Sequence, residues 1–507
     1  MLAGLPVLAC FAFEPRAALV VTVVVLACFA FGRRMRKLLQ IEPAGPVEDI
    51  AISAGIGFGA LHCALFAIGL LHGYYPIVFA ALLGSAVLFC WREIPSFSNA
   101  LRQMNHAWCN VPEAARWPGT ILTAFLMLFE MEAVMFALAP SLVFDMLRVH
   151  LPAVQYYAER HALRVPPYLP YAYFPQSVES VMTLGYVFAG QAAAQILPAV
   201  YFALALLALF RISRNCGIDR FGALAGLLFT VSVPAIHWTG ASGKNDFALV
   251  FFILSAVLCF LRWMEGQTFR WILLGTFFLA MGAGVKHIVL FAAPPLALLY
   301  AYAAWRQPRR VLALLQLAAV FLLFGLGWQA RTWIETGNPL YPAGAASAVS
   351  AGIGHPQTFW QGVVIPYLQL PWRLHFRGHF YFESVSDYPM GMVLVFFAPV
   401  WLLFKKRLTK AGGVCLLFCG LYLLYWAFAI PMIRYAIAPI AIVLMLTAGL
   451  LIEFCRTMPP VVGVSALAAS AYLFLFAGCG IAINEINGPQ LRIFFTGSIA
   501  GSIFEKP

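Results

Sequence analysis

Charge is scarce in this sequence. Of 507 residues, 32 are Lys or Arg and 20 are Asp or Glu, so 10% carry charge, against roughly 25% in soluble domains. That shortage excludes an ordinary soluble protein. A hydrophobic content of 63% and a mean hydropathy of +0.86 exclude intrinsic disorder, which needs low hydrophobicity and high charge. Acids are scarcer than bases, leaving a net charge of +12. The bases stand in short clusters between long apolar runs rather than along one face, so the excess does not indicate a nucleic-acid partner. Cysteine patterning is also missing. The eleven cysteines form no CxxC and no Cys/His ligand spacing, and most lie inside apolar runs (Cys10, Cys28, Cys63, Cys259, Cys479). Cys415 and Cys419, four apart, share a helix face. Neither a disulfide framework nor a zinc site is indicated. Cleavable-signal anatomy is absent: apolar residues begin at once, and Arg33-Arg34-Met35-Arg36-Lys37 follows them, the order of a retained anchor. No internal repeat is visible, which argues against a transporter built from repeated halves.

What is present is a succession of apolar runs. A spanning helix needs roughly 20 largely apolar residues, because every backbone polar group must be satisfied within the segment. Such runs lie near 16–32, 50–71, 74–91, 119–139, 192–210, 221–238, 246–263, 270–285, 287–304, 311–329, 391–404, 412–430, 434–453 and 461–483, with a shorter one at 2–13. The expectation is an all-α polytopic transmembrane bundle of about 13 to 15 helices, with long outer loops carrying short helices.

Basic residues in short loops mark the cytoplasmic side. The clusters are Arg33 to Lys37, Arg211/Arg214/Arg220, Arg306/Arg309/Arg310 and Lys405/Lys406/Arg407/Lys410. Placing all four on one side requires an even number of spans between each pair, and the segmentation satisfies this if 270–285 and 287–304 are separate helices. Two long loops, about 140–191 and 330–390, then fall on the opposite, outer side. The turns holding His237 to Asp246, Lys286-His287 and Pro431 to Arg434 fall there too. Ionisable groups at membrane depth are costly and mark sites, so the chemistry is expected on the outer face.

Asp145 follows a span end, close in sequence to Arg148 and His150; a carboxylate there could serve as a general base or as a cap or partner of Arg148. The first loop continues through the aromatic, proline-rich stretch 166–176, which includes Tyr173, and Glu179 then opens a segment to Gly190 that is too polar at its ends for a full span. In His237 to Asp246, either Asn245 or Asp246 is expected to cap the following helix. Lys244 sits where the helix dipole disfavours a cation, a conflict that a bound anion would relieve. Gly243-Lys244 lacks the upstream glycine spacing and following Ser/Thr of a P-loop. Lys286, His287, Arg331 and Arg434 complete a set of outer-face groups. Snorkelling to headgroups accounts for each cation singly. As a set with few acids beside them, they favour an anionic ligand such as a lipid phosphate, which arginine grips with two parallel hydrogen bonds.

Four stretches together resemble the GT-C superfamily of integral-membrane glycosyltransferases, in particular bacterial enzymes similar to protein O-mannosyltransferases and lipid A aminoarabinose transferases. They are Phe144 to Pro152, Gly243-Lys244-Asn245-Asp246, Thr336-Gly337-Asn338-Pro339-Leu340-Tyr341-Pro342, and Arg434-Tyr435 with Pro439. The resemblance covers roughly 119–453, and its motifs are individually short. It implies a sugar donor linked to polyprenyl phosphate, and its first-loop acid maps onto Asp145. The chain departs from the pattern in having Met146 where a second acid is usual and Val149 where a tyrosine precedes the histidine. The division expected is 1–115 as helices outside the resemblance, 116–455 as the catalytic module, and 456–507 as a last helix and outer tail.

The resulting expectation is an inverting, metal-independent transfer needing no cofactor, with Asp145 as base. Donor phosphate would be held by groups drawn from Lys244, Lys286, His287, Arg331 and Arg434. His150, Tyr173, Glu179 and Asp246 would contact sugar or acceptor, the latter a lipid, glycan or protein. Membrane lipids are the other partners, and the expected location is the bacterial inner membrane with the site facing the periplasm. Two alternatives stand: a polysaccharide polymerase or ligase using the same donors, and a lipid or solute transporter, for which the mid-span acids Glu130 and Glu132 are the best argument.

Overall fold

A computed structural model describes residues 5–109, 113–266, 268–341, 409–428 and 432–459, together with 368–369, 461–463 and 465. The expected span at 391–404, nearly all of the last one at 461–483, most of the second long loop, and Lys405 to Arg407 lie outside the described residues. The described residues form an all-α bundle. In chain order the helices are α1 (Leu5–Phe13), α2 (Pro15–Leu38), α3 (Pro46–Leu70), α4 (Pro76–Cys90), α5 (Pro95–Cys109), α6 (Glu113–Leu138), α7 (Leu151–Arg160), α8 (Ser177–Asn215), α9 (Arg220–Val231), α10 (Pro234–Ala241), α11 (Asp246–Met264), α12 (Arg270–Val285), α13 (Ala293–Trp305), α14 (Arg310–Gly325), α15 (Gly327–Thr336), α16 (Lys410–Phe428) and α17 (Ile437–Thr457). Among the described residues, eight segments are long and apolar enough to cross a membrane, or up to ten if the bent pairs α9/α10 and α14/α15 each count as one span.

Proline punctuates the helix starts: Pro15, Pro46 and Pro76 stand in the first turn of α2, α3 and α4, where the missing N–H costs nothing. α2 and α3 cross with backbones in contact. A side chain at Gly32 would collide with the Ser53 carbonyl, and one at Gly57 with that of Cys28. Small residues permit such approach where lipid supplies no hydrophobic drive between helices. Both helices pack on α8, which with α11 and α12 forms the centre of the bundle.

The basic clusters gather at one end. Arg33 and Arg36 pair with Asp49, and Arg211 and Arg262 share the fully buried Glu48. The Trp263 ring lies 6.1 Å from that of Tyr302, one turn before Arg306. Thr409 donates to the Cys216 carbonyl at 3.0 Å, bringing the start of α16 beside the Arg211–Arg220 turn. The basic clusters that are described, together with the start of α16, therefore lie at one end of the bundle.

The segment opened by Glu179 behaves as its polarity suggested. α8 breaks at Ala189 and Gly190, separating a short helix that carries Glu179 from a full-length span that ends at the basic end. Gly190 has φ +69° and ψ −158°, a region essentially reserved for glycine.

Candidate active site

Four separated segments converge at the end of the bundle opposite the arginine clusters. The loop after α6 brings Asp145, and it is held in place by α8. There Gln195 donates to the carbonyls of Ala137 and Ala139 at 3.0 and 3.1 Å, satisfying groups that the end of α6 leaves open. The α10–α11 turn brings Lys244, Asn245 and Asp246, the α12 terminus brings Lys286, and a 3-10 turn, Ile433–Ala436, ahead of α17 brings Arg434.

The side chains form one continuous network. Arg434 Nη1 donates to Asp145 Oδ2 at 2.5 Å. Lys244 Nζ lies between two carboxylates, 3.8 Å from Asp145 and 3.9 Å from Asp246, with its ammonium 4.3 Å from the centroid of the Trp238 ring. Lys286 donates to Asp246 at 2.7 Å and to Asn245 Oδ1 at 3.2 Å. The Asn245 amide donates to Glu179 Oε1 at 2.9 Å, and His150 Nδ1 meets the same oxygen at 2.7 Å. Tyr435 lies between the cations: its hydroxyl accepts from Arg434 at 3.2 Å, and its ring centroid lies 5.3 Å from the Lys286 ammonium.

Three acids and three permanent or near-permanent cations thus share a largely buried space. Burial pushes the Asp145 carboxyl up, but the charges of Arg434 and Lys244 outweigh it and hold the group below the usual carboxylate range. Lys244 goes the other way: burial, reinforced by Arg434 and opposed by Asp246, brings it down to about 8. Burial would lower Lys286 as well, but Asp246 overcomes that and raises it. Lys244 Nζ, Asp246 Oδ2 and Glu179 Oε2 are buried and make no hydrogen bond among the described residues. Buried polar atoms in that state are costly, and they can serve a polar ligand.

Two local expectations are corrected. Neither Asn245 nor Asp246 caps α11: Asn245 stands at the N-cap position but makes no side-chain cap, because Glu179 and Lys286 take its amide and its carbonyl oxygen. Asp145 neither caps nor pairs with Arg148, whose guanidinium lies 6.0 Å from the Phe144 ring instead.

Tyr173, His287 and Arg331 form a neighbouring group rather than joining the network directly. Thr332 on α15 donates to the Tyr173 carbonyl at 2.7 Å, and the Tyr173 and Tyr341 rings meet edge-on at 5.3 Å. The His287 ring lies 5.7 Å from Phe174, and burial brings its pKa down to about 4. Arg331, 5% exposed at its side chain, donates through Nε to Glu335 at 3.2 Å, while both terminal nitrogens are buried without a hydrogen bond among the described residues. Arg331 and Glu179 both act electrostatically on Tyr157, so the two groups adjoin at that residue. Glu132 pairs with His237, linking α6 to α10 just before Trp238. Trp238 and Tyr435 had no site role in the sequence expectations, although each adjoins a cation that did: Tyr435 next to Arg434 in the chain and Trp238 six positions before Lys244.

Residues 179–328 match the profile of the dolichyl-phosphate-mannose-protein mannosyltransferase family. Among solved structures, the chain is similar to ArnT from Cupriavidus metallidurans bound to undecaprenyl phosphate, at a TM-score of 0.50 and 14% identity over 74% of this chain and 69% of that one. The apo form of the same protein aligns at a TM-score of 0.47, also at 14% identity, over 74% and 68%. No curated protein sequence matches significantly. The fold is thus similar to that of ArnT, the kind of fold that the resemblance in the sequence implied.

Proposed function

We propose that this GT-C-fold chain is a membrane glycosyltransferase that moves a sugar from polyprenyl phosphate to an acceptor hydroxyl, with inversion and with Asp145 as base. Residues 116–455 would be the catalytic module, in a bacterial inner membrane with the site facing the periplasm. The observation that carries this reading is the convergence of Asp145, Lys244, Lys286 and Arg434 at the end opposite the basic clusters. The family match over residues 179–328, which takes in Lys244 and Lys286 and leaves Asp145 and Arg434 outside it, and a fold shared with a protein solved with undecaprenyl phosphate support the lipid-linked donor.

The charge bookkeeping of the step suits the network. The acceptor hydroxyl gives its proton to Asp145, its oxygen bonds the anomeric carbon, and the bond from that carbon to the phosphate oxygen breaks. Asp145 loses a negative charge as the leaving polyprenyl phosphate gains one. Arg434 and Lys244, which face the carboxylate before reaction, are the groups that would stabilise the new charge on the phosphate. Preorganised donors aimed at developing charge are the largest single source of catalysis in many enzymes. Arg434 and Arg331 can offer bidentate contacts and the lysines point charges. His150, Tyr173, Glu179 and Asp246 would line the sugar and acceptor side.

Transfer is assayed as undecaprenyl phosphate released from a total extract of polyprenyl-phosphate sugars, quantified by mass spectrometry. Asp145→Asn should lower it by about 10²–10⁴-fold, the range for loss of a general base, while undecaprenyl phosphate still binds. Near-parental release by that variant would overturn the assignment.

A further inference from the structure

The Arg306–Arg310 turn is the basic cluster among the described residues at its end of the bundle in which no member has an acidic partner. In the others, single members such as Arg214 and Arg220 bond backbone carbonyls beside acid-paired neighbours. Arg33, Arg36 and Lys37 are paired with Asp49, Glu42 or Glu93, Arg211 and Arg262 with Glu48, and Arg456 with Asp219. Arg306, Arg309 and Arg310 are exposed and have no acidic partner among the described residues. Three cations in five residues, without a countercharge from the protein, form a patch whose complement is an anion supplied from outside.

The surface leading to that patch is apolar on both helices of the hairpin. On α13, Leu298, Tyr302 and Trp305 stand at i, i+4 and i+7 and are all exposed, Leu298 at 64%. On α14, Val311 and Leu315 are exposed at i and i+4, Val311 at 72%, with Leu322 a further two turns along. Trp305 marks the junction: its ring lies 4.8 Å from the Arg310 guanidinium, and tryptophan prefers the level of lipid headgroups. An apolar track ending in an aromatic ring and then in unpaired guanidiniums matches acyl chains, glycerol region and headgroup in that order.

We infer that the α13–α14 hairpin is a binding surface for an anionic glycerophospholipid of the leaflet on the basic-cluster side, its phosphate held by Arg306, Arg309 and Arg310 and its chains lying along Leu298, Tyr302, Val311 and Leu315. The surface lies at the opposite end from Asp145 and is independent of the transferase reading.

The full chain is reconstituted in vesicles of phosphatidylcholine with either brominated phosphatidylglycerol or brominated phosphatidylcholine at equal mole fraction. Bromine quenches nearby tryptophan, and the Trp305 contribution is the difference between the parent and Trp305→Phe. That contribution should be quenched more strongly by the brominated phosphatidylglycerol, and the preference should fade with added salt. Three cations near a charged leaflet each contribute a factor of roughly five, so R306Q/R309Q/R310Q should lose about a hundredfold in relative affinity. The triple lysine variant should keep most of the preference. Equal quenching of the parent by the two lipids would overturn the inference, whether or not the triple glutamine variant can be produced. So would an unchanged preference in that variant.

Discussion

Removing the Arg434 side chain is the sharpest perturbation of the site. Its guanidinium donates to Asp145 at 2.5 Å, and only 10% of the side chain is exposed. Two unit charges about 4 Å apart at an effective dielectric near 20 attract by about 4 kcal/mol. A donor phosphate taking up Arg434 would gain a share of that order, offset by the loosening of the Asp145 contact. Losing one partner of a buried charged pair costs about 3–5 kcal/mol, largely because the other charge is stranded. Lys244 stays within 3.8 Å of Asp145 and would cover part of the deficit, so the net loss is placed at about 3 kcal/mol, roughly a hundredfold or somewhat more in affinity. Undecaprenyl phosphate is titrated into the purified protein and the bound fraction read by native mass spectrometry. Arg434→Ala should weaken binding by that factor, Arg434→Lys should recover part of it because charge returns without the planar fork, and Arg456→Ala at the opposite end, where Arg456 pairs with Asp219, should bind as the parent does. If Arg434→Ala, still folded, bound the lipid as tightly as the parent, Arg434 would be a structural partner of Asp145 and the phosphate reading would be wrong.

Because burial brings Lys244 down to about 8, its charge is lost as pH rises through that value, and undecaprenyl phosphate binding should weaken above pH 8 by up to about tenfold per unit. Lys244→Arg, which does not titrate in that range, should flatten the profile; an equally steep decline in that variant would assign the titration to another group. Gly190→Ala forces a Cβ into a glycine-only conformation and should lower stability by about 1–3 kcal/mol, read as a lower melting temperature in detergent, whereas Gly45→Ala, with open space around it, should change it far less. Cysteines placed at the exposed Tyr168 and Gln40 should react with an impermeant thiol reagent from opposite sides of the membrane, Gln40→Cys from the cytoplasm; labelling of both from one side would refute the topology.

Much of this molecule was legible in one dimension. Apolar runs of spanning length, short basic clusters and isolated ionisable groups at span ends together pointed to an all-α bundle with buried charged groups gathered at the end opposite the basic clusters. The reason is that a membrane interior tolerates neither unsatisfied backbone nor stray charge, so composition alone locates the exceptions. The pairing of those exceptions was not legible. Asp145 reaches Arg434 across 289 positions, and Asn245 turns away from its helix to join Glu179 and Lys286, because a buried carboxylate outcompetes a cap for the amide. His287 and Arg331 had the same sequence credentials as Lys244, yet with Tyr173 they form a group of their own around Thr332, Phe174 and Tyr341. No periodicity encodes that separation. Arg331 joins that group because the chain bends by 57° between α14 and α15 and Thr332 then bonds the Tyr173 carbonyl, a contact that only the packed bundle brings about.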